Sequence, residues 1–223
     1  MKQKMFLMVA ALVLLSTTSG HNLFAQFDPP LELLWEVQNI GNNDEEFAIS
    51  PDETIFVATH QNDSTAMIRV YAISNGEFLR QYFAPFCGRK MAFMADNRHL
   101  AITGGYCSPD LFGRYGKIKI MDLMNGLISD SLDFPDTLYN GNAKDISVAS
   151  DGKYISVCAS KYPQLNANYV IYNTKDRSIF TRIFVDNGSP YISAFSLDSR
   201  YFFFNELKGN RFLLKMLNLE TKE

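Results

Sequence analysis

Four copies of one short pattern constrain this chain more than any other feature. Asp52 in "AISPDETIFVA", Asp96 in "AFMADNRHLAI", Asp151 in "SVASDGKYISV" and Asp198 in "AFSLDSRYFFF" each sit in a short polar turn between two apolar runs. The second run is rich in β-branched or aromatic residues, which makes each copy an antiparallel hairpin signature. Asp beside Gly, Asn or Ser suits a tight turn because its side chain bonds nearby backbone. The turns recur at spacings of 44, 55 and 47 residues.

A second motif follows each hairpin at a similar offset: "IRVYAISNGE" (68–77), "IKIMDLMNGL" (118–127), "YVIYNTKDRS" (169–178) and "LKMLNLETKE" (214–223). It reads as a third strand ending in another tight turn. A fourth strand follows the first three, in "EFLRQYF", "LISDSL" and "SIFTRIF". Four antiparallel strands per unit of this length predict an all-β chain built as a β-propeller of four-stranded blades. The repeats fall near 44–83, 89–132, 144–184 and 191–223. The run "LELLWEVQN" (31–39) is then a closing or orphan strand. Runs such as "IFVA" and "YFFFN" are nearly continuous in apolar residues, as expected of strands covered on both faces. Over residues 47–223 the pattern resembles the YVTN-type and WD-repeat-like β-propellers of secreted bacterial proteins, without the Gly-His and Trp-Asp signatures of eukaryotic WD repeats. That resemblance implies a fold, and the fold serves many functions.

Two readings of the ring follow. In one, four blades are complete and residues 33–38 close the last. In the other, the chain is the front part of a longer ring, and it should then show unpaired strand edges and a half-exposed apolar sheet.

Lys2 and Lys4 precede the apolar run "MFLMVAALVLLS" and the polar stretch "TTSGHNLFAQ". This order predicts a secretory signal peptide over 1–25, with a secreted or periplasmic mature protein. The run is short for a membrane span, so no span is expected in the mature chain. Losing both lysines and no acid moves the formal charge from -3 to -5. A mildly acidic chain argues against nucleic acid as a partner. At 47% hydrophobic and 13% aromatic residues, the composition is that of a folded protein.

The connections are unequal. First-to-second and third-to-fourth strand turns are tight, whereas residues 60–66, 104–116 and 160–167, and the blade-joining residues 84–89 and 133–143, read as longer loops. Antiparallel geometry gathers the longer loops at one end of the ring, where binding residues belong. Phe86, Arg89, Tyr106, Phe112, Arg114, Tyr115, Tyr139 and Tyr162 are the candidate binding residues, since aromatics with Arg anchor interfaces. The alternative is that they pack their own loops. Cys87 and Cys107 fall at the same end and are the candidate disulfide, worth roughly 3 kcal/mol. Cys158, in "YISVCAS", is expected to be a buried, inert thiol. Three reduced thiols are the other reading.

Catalytic patterns are scarce. His60 is expected in a blade-one loop and His99 at the opposite end, a poor metal or triad set. No G-x-S-x-G, H-E-x-x-H, C-x-x-C or P-loop occurs. Asp44-Glu45-Glu46 reads as a charged approach to a strand, and the repeated turn aspartates read as turn-formers. Trp35 is the single Trp, too few for the docking motifs of quinoprotein-type propellers. No catalytic residue, cofactor or metal is assigned. The expected function is a non-catalytic exported binding or scaffold module for a protein, peptide or glycan, acting through its long-loop face. A propeller-type lactonase, a glycan-acting hydrolase or lyase, or a fragment without separate activity are the alternatives.

Overall fold

The computed structural model describes residues 46–62, 65–84, 88–104, 117–133, 141–161, 167–185, 192–208 and 211–222. The chain divides into two units, 1–37 and 38–223, and every described residue belongs to the second. The orphan strand 31–39, the signal segment and Asp44-Glu45 therefore lie outside the described residues.

All described regular structure is β. The first sheet holds β1 (Phe47–Ile49), β2 (Ile55–Asn62), β3 (Thr65–Ala72) and β4 (Phe78–Phe83). The second holds β5 (Gly88–Phe93), β6 (His99–Gly104), β7 (Lys117–Asp122) and β8 (Leu127–Asp133). The third holds β9 (Gly141–Val148), β10 (Tyr154–Lys161), β11 (Ala167–Asn173) and β12 (Ile179–Val185). The fourth has three strands, β13 (Ser193–Phe195), β14 (Tyr201–Lys208) and β15 (Arg211–Asn218). Each sheet runs in sequence order with antiparallel neighbours, so each is one blade. Successive blades meet through their first strands, β1 with β5, β5 with β9 and β9 with β13.

The turn chemistry explains why the hairpins repeat. The residue after each turn aspartate has a positive φ: Glu53 (59°), Asn97 (59°), Gly152 (72°) and Ser199 (56°). The aspartate Oδ1 accepts the backbone N–H two residues on, from Thr54, Arg98, Lys153 and Arg200, at 2.9–3.2 Å. This bond stabilises a left-handed residue that would otherwise be costly for a side chain. The turns after the third strands repeat likewise, with positive φ at Gly76, Gly126, Arg177 and Lys222. Every first-three-blade pairing of third and fourth strands also shifts register at one matching place, Val70/Tyr71, Ile120/Met121 and Ile171/Tyr172.

Three apolar clusters lie between blades. Val57, Ile68, Leu100 and Met121 join the first to the second. Ile118, Leu132, Ile155 and Tyr172 join the second to the third. Cys158, Tyr169, Phe202 and Leu219 join the third to the fourth. Strands sandwiched this way bury both faces, and Ile155–Ala159 is buried throughout, which is why the apolar runs do not alternate. Among the described residues no such cluster joins the fourth blade to the first. The outer face of the fourth blade instead exposes Phe212, Leu214 and Met216 on β15, with Leu214 78% accessible.

Two loop expectations change. Residues 60–66 do not form a long loop, because β2 and β3 pair as far as Asn62 and Thr65, leaving two residues between them. His60 is accordingly a strand residue opposite Met67. Polar side chains there suggested a loop, but the backbone ladder does not depend on side-chain polarity. Arg89 likewise lies within β5, at the register shift between Gly88 and Lys90.

Candidate functional site

Contacts between blades fix which ends of the strands lie together. Asp52 N–H donates to Asn97 Oδ1 (2.8 Å), and Asp151 N–H donates to Ser199 Oγ (3.1 Å). An added Cβ on Gly152 would stand 3.1 Å from Cβ of Ala95. The tight turns of all four blades thus share one end. The strand ends flanking residues 105–116, 134–140, 162–166 and 186–191 share the other.

A polar line crosses the first strands at that second end. Glu46, just before β1, pairs with Lys90 of β5. Asp145 of β9 accepts two hydrogen bonds from Ser193 of β13, from its N–H (2.5 Å) and its hydroxyl (2.6 Å). Burial pushes the Asp145 carboxyl up; the Ser193 bonds and the Lys90 charge oppose that and do not cancel it. Glu46, Lys90, Asp145 and Ser193 thus carry one polar tier across all four blades: carboxyl, ammonium, carboxyl and hydroxyl. Glu46 is also a strand approach, as its sequence suggested, since its carbonyl accepts the Thr59 N–H and its own N–H donates to Thr59 Oγ1. Among the described residues, every buried side-chain nitrogen and oxygen has a hydrogen-bond partner.

A second feature opens at the tight-turn end. Met94, Asp96, His99, Ile120, Ser129, Asp130, Leu132, Ile155 and Thr174 line a cleft of about 300 Å³ between the second and third blades. Comparing equivalent positions shows why it is there. Between the first two blades, Tyr82 fills this space and donates its hydroxyl to Leu123 O (2.5 Å). The position of Tyr82 is taken by Leu132 in the next blade, and the position of Leu123 by Thr174. The rim bond made by Asn97 and by Ser199 has no counterpart at Gly152, which has no side chain. A shorter side chain, a polar one and a missing one leave the gap.

The polar groups of the cleft are held by the protein itself. His99 Nδ1 lies 2.6 Å from Asp96 Oδ2. Burial opposes ionisation of Asp96, but hydrogen bonds from the His99 backbone and ring and from Arg98 N–H outweigh it and hold the carboxyl below its ordinary value. Asp130 pairs with Arg177 at 2.8 Å. Ser129 Oγ–H donates to Ile120 O (3.1 Å), and Thr174 Oγ–H to Gly152 O (2.6 Å).

Of the residues predicted to bind, Phe86, Tyr106, Phe112, Arg114, Tyr115, Tyr139 and Tyr162 lie outside the described residues, as do Cys87 and Cys107. The backbone of Arg89 lies in β5, one residue before Lys90 of the polar tier. Cys158 is fully buried in β10. The polar tier was not foreseen, although Glu46, Lys90 and Asp145 have the 44- and 55-residue spacings of the turns. His99 lies at the tight-turn end, as expected, and lines the cleft there. Among the described residues no three His, Cys, Asp or Glu side chains gather as a metal set. No helix among them is long and apolar enough to cross a membrane.

These blades define an all-β protein of β-propeller type. A solved structure, Kuenenia stuttgartiensis hydrazine synthase, is similar with a TM-score of 0.58 at 10% sequence identity, over 77% of this chain and 50% of that one. The chain therefore spans about half the length of that neighbour, and at this identity the likeness shows the fold alone. No protein-family model matches the chain. No curated protein matches it.

Proposed function

We propose that the chain is an exported, non-catalytic binding or scaffold module of the YVTN-like kind, which takes a protein, peptide or glycan at the long-connection end. The polar tier carries this reading. It places Lys90 and the half-buried Asp145 on first strands, at the end where connections whose sequences are rich in aromatic and Arg residues begin. A rigid base below long loops is the usual arrangement of a binding face. The tier also disfavours the enzymatic alternative built on a divalent ion. Its carboxylates, Glu46 and Asp145, come from blades on either side of Lys90, whose ammonium supplies the positive charge a metal would bring.

The test is a glycan and peptide array probed with the mature protein, repeated with residues 104–116 replaced by a short Gly-Ser linker. The reading expects hits that disappear on replacement while the melting temperature stays within a few degrees. Hits that survive the replacement overturn it.

A further inference from the structure

We propose that the cleft between the second and third blades binds a small organic cation, an ammonium or amidinium head on an aliphatic or aromatic body. The site lies at the opposite end from the binding face above and does not rest on it.

The hydrogen-bonding character of the lining carries the assignment. The Ser129 and Thr174 hydroxyls spend their protons on Ile120 O and Gly152 O, so both oxygens present only lone pairs to the cleft. Asp96 and Asp130 are carboxylates, acceptors when ionised. In the neutral ring of His99 the Nδ1 proton is committed to Asp96, which leaves Nε2 as an acceptor. All five polar residues of the lining therefore present acceptors. Of two neighbouring cations, Arg98 is engaged outside the cleft with both oxygens of Asp122, and Arg177 holds Oδ2 of the lining residue Asp130 at 2.8 Å. A ligand for such a site must bring the donors, and an ammonium brings three.

Shape and floor set the rest of the molecule. Met94, Ile120, Leu132 and Ile155 form an apolar floor suited to a hydrocarbon body. The volume lies at the small end of the range for small-molecule sites. A carboxylate ligand would face acceptors on every polar side.

The repeat supplies its own control. Gly126 accommodates the Tyr82 ring, and its equivalent beside Leu132 is Arg177, whose Cβ would obstruct a tyrosine. Leu132→Tyr with Arg177→Gly rebuilds the packed arrangement of the first interface inside the second. Thr174→Leu, which restores the residue type of Leu123, is a milder way to fill the cleft.

Benzylamine, benzyl alcohol and benzoate are titrated into the full chain, with amide shifts of His99 and Thr174 as the readout. Benzylamine is expected to saturate, benzyl alcohol to bind about tenfold more weakly, and benzoate not to bind. Asp130→Asn should weaken benzylamine about threefold, and each cleft-filling variant that keeps the native melting profile should abolish its binding. Equal binding of benzoate, absence of benzylamine saturation, or saturation unchanged in Thr174→Leu would overturn the proposal.

Discussion

The ring of Tyr82 lies across Gly126 so closely that a Cβ there would stand 2.2 Å from Tyr82 Cδ1. The phenol oxygen meanwhile donates to Leu123 O. This contact ties the last strand of the first blade to the outer turn of the second. Gly126 also has a φ of +73°, in the left-handed region. Gly126→Ala should therefore cost on the order of 2–4 kcal/mol, from strain and overpacking together. Tyr82→Leu in the same chain should recover much of that loss, because it recreates the Leu132–Arg177 arrangement. Chemical denaturation of the two single variants and the double closes the cycle.

Phe202 is the largest apolar side chain of the fourth blade that is wholly buried, with its ring 5.8 Å from Tyr169 and 5.0 Å from Phe195. Phe202→Ala removes the centre of the cluster between the third and fourth blades. A loss of about 3–5 kcal/mol is expected by denaturant unfolding. Leu197→Ala, at an 85% accessible turn residue, should change stability by less than about 0.5 kcal/mol.

Acid should loosen the tight-turn end. Hydrogen bonds from Ser196 and then Arg200 lower the Asp198 carboxyl to about 2. Asp52, Asp96 and Asp151 are also held low; burial opposes this in each, and turn hydrogen bonds outweigh it. A carboxyl held low in the folded chain binds its proton more readily when unfolded. Its stabilising contribution is complete above the unfolded value of 3.8 and disappears as pH falls through the folded one. The melting temperature should thus fall progressively between pH 4 and pH 2. Asp198→Asn should make that fall shallower.

Among the described residues, the third strand of the fourth blade, β15, pairs only with β14, and its outer face carries Phe212, Leu214 and Met216, all more than half exposed. An apolar edge strand is prone to pair with other chains. Sedimentation velocity should show concentration-dependent association, and Phe212→Lys with Leu214→Lys should reduce it without lowering the melting temperature.

The blades were legible because their turns are chemically explicit. Asp52, Asp96, Asp151 and Asp198 each need a following residue in the left-handed region, and the sequence supplies Glu, Asn, Gly and Ser at one common offset. The strand limits were less so: Gln61, Asn62 and Thr65 look like a loop by polarity, yet their backbones complete a ladder. The polar tier and the cleft were missed for a different reason. Both arise from differences between equivalent positions, such as Tyr82 against Leu132 or Leu123 against Thr174, and appear only once the strands are in register. Glu46 and Lys90 pair because blades stack, a relation that no local pattern encodes.

Hydrogen exchange on the protein, with and without a saturating array-selected ligand, tests the binding-face account most directly. Added protection should centre on residues 88–90, 104 and 141–145, where first and second strands meet the long connections, and Lys90→Met should weaken the ligand about tenfold. Protection confined to the tight turns around Asp52, Asp96, Asp151 and Asp198, with affinity unchanged in Lys90→Met, would contradict it.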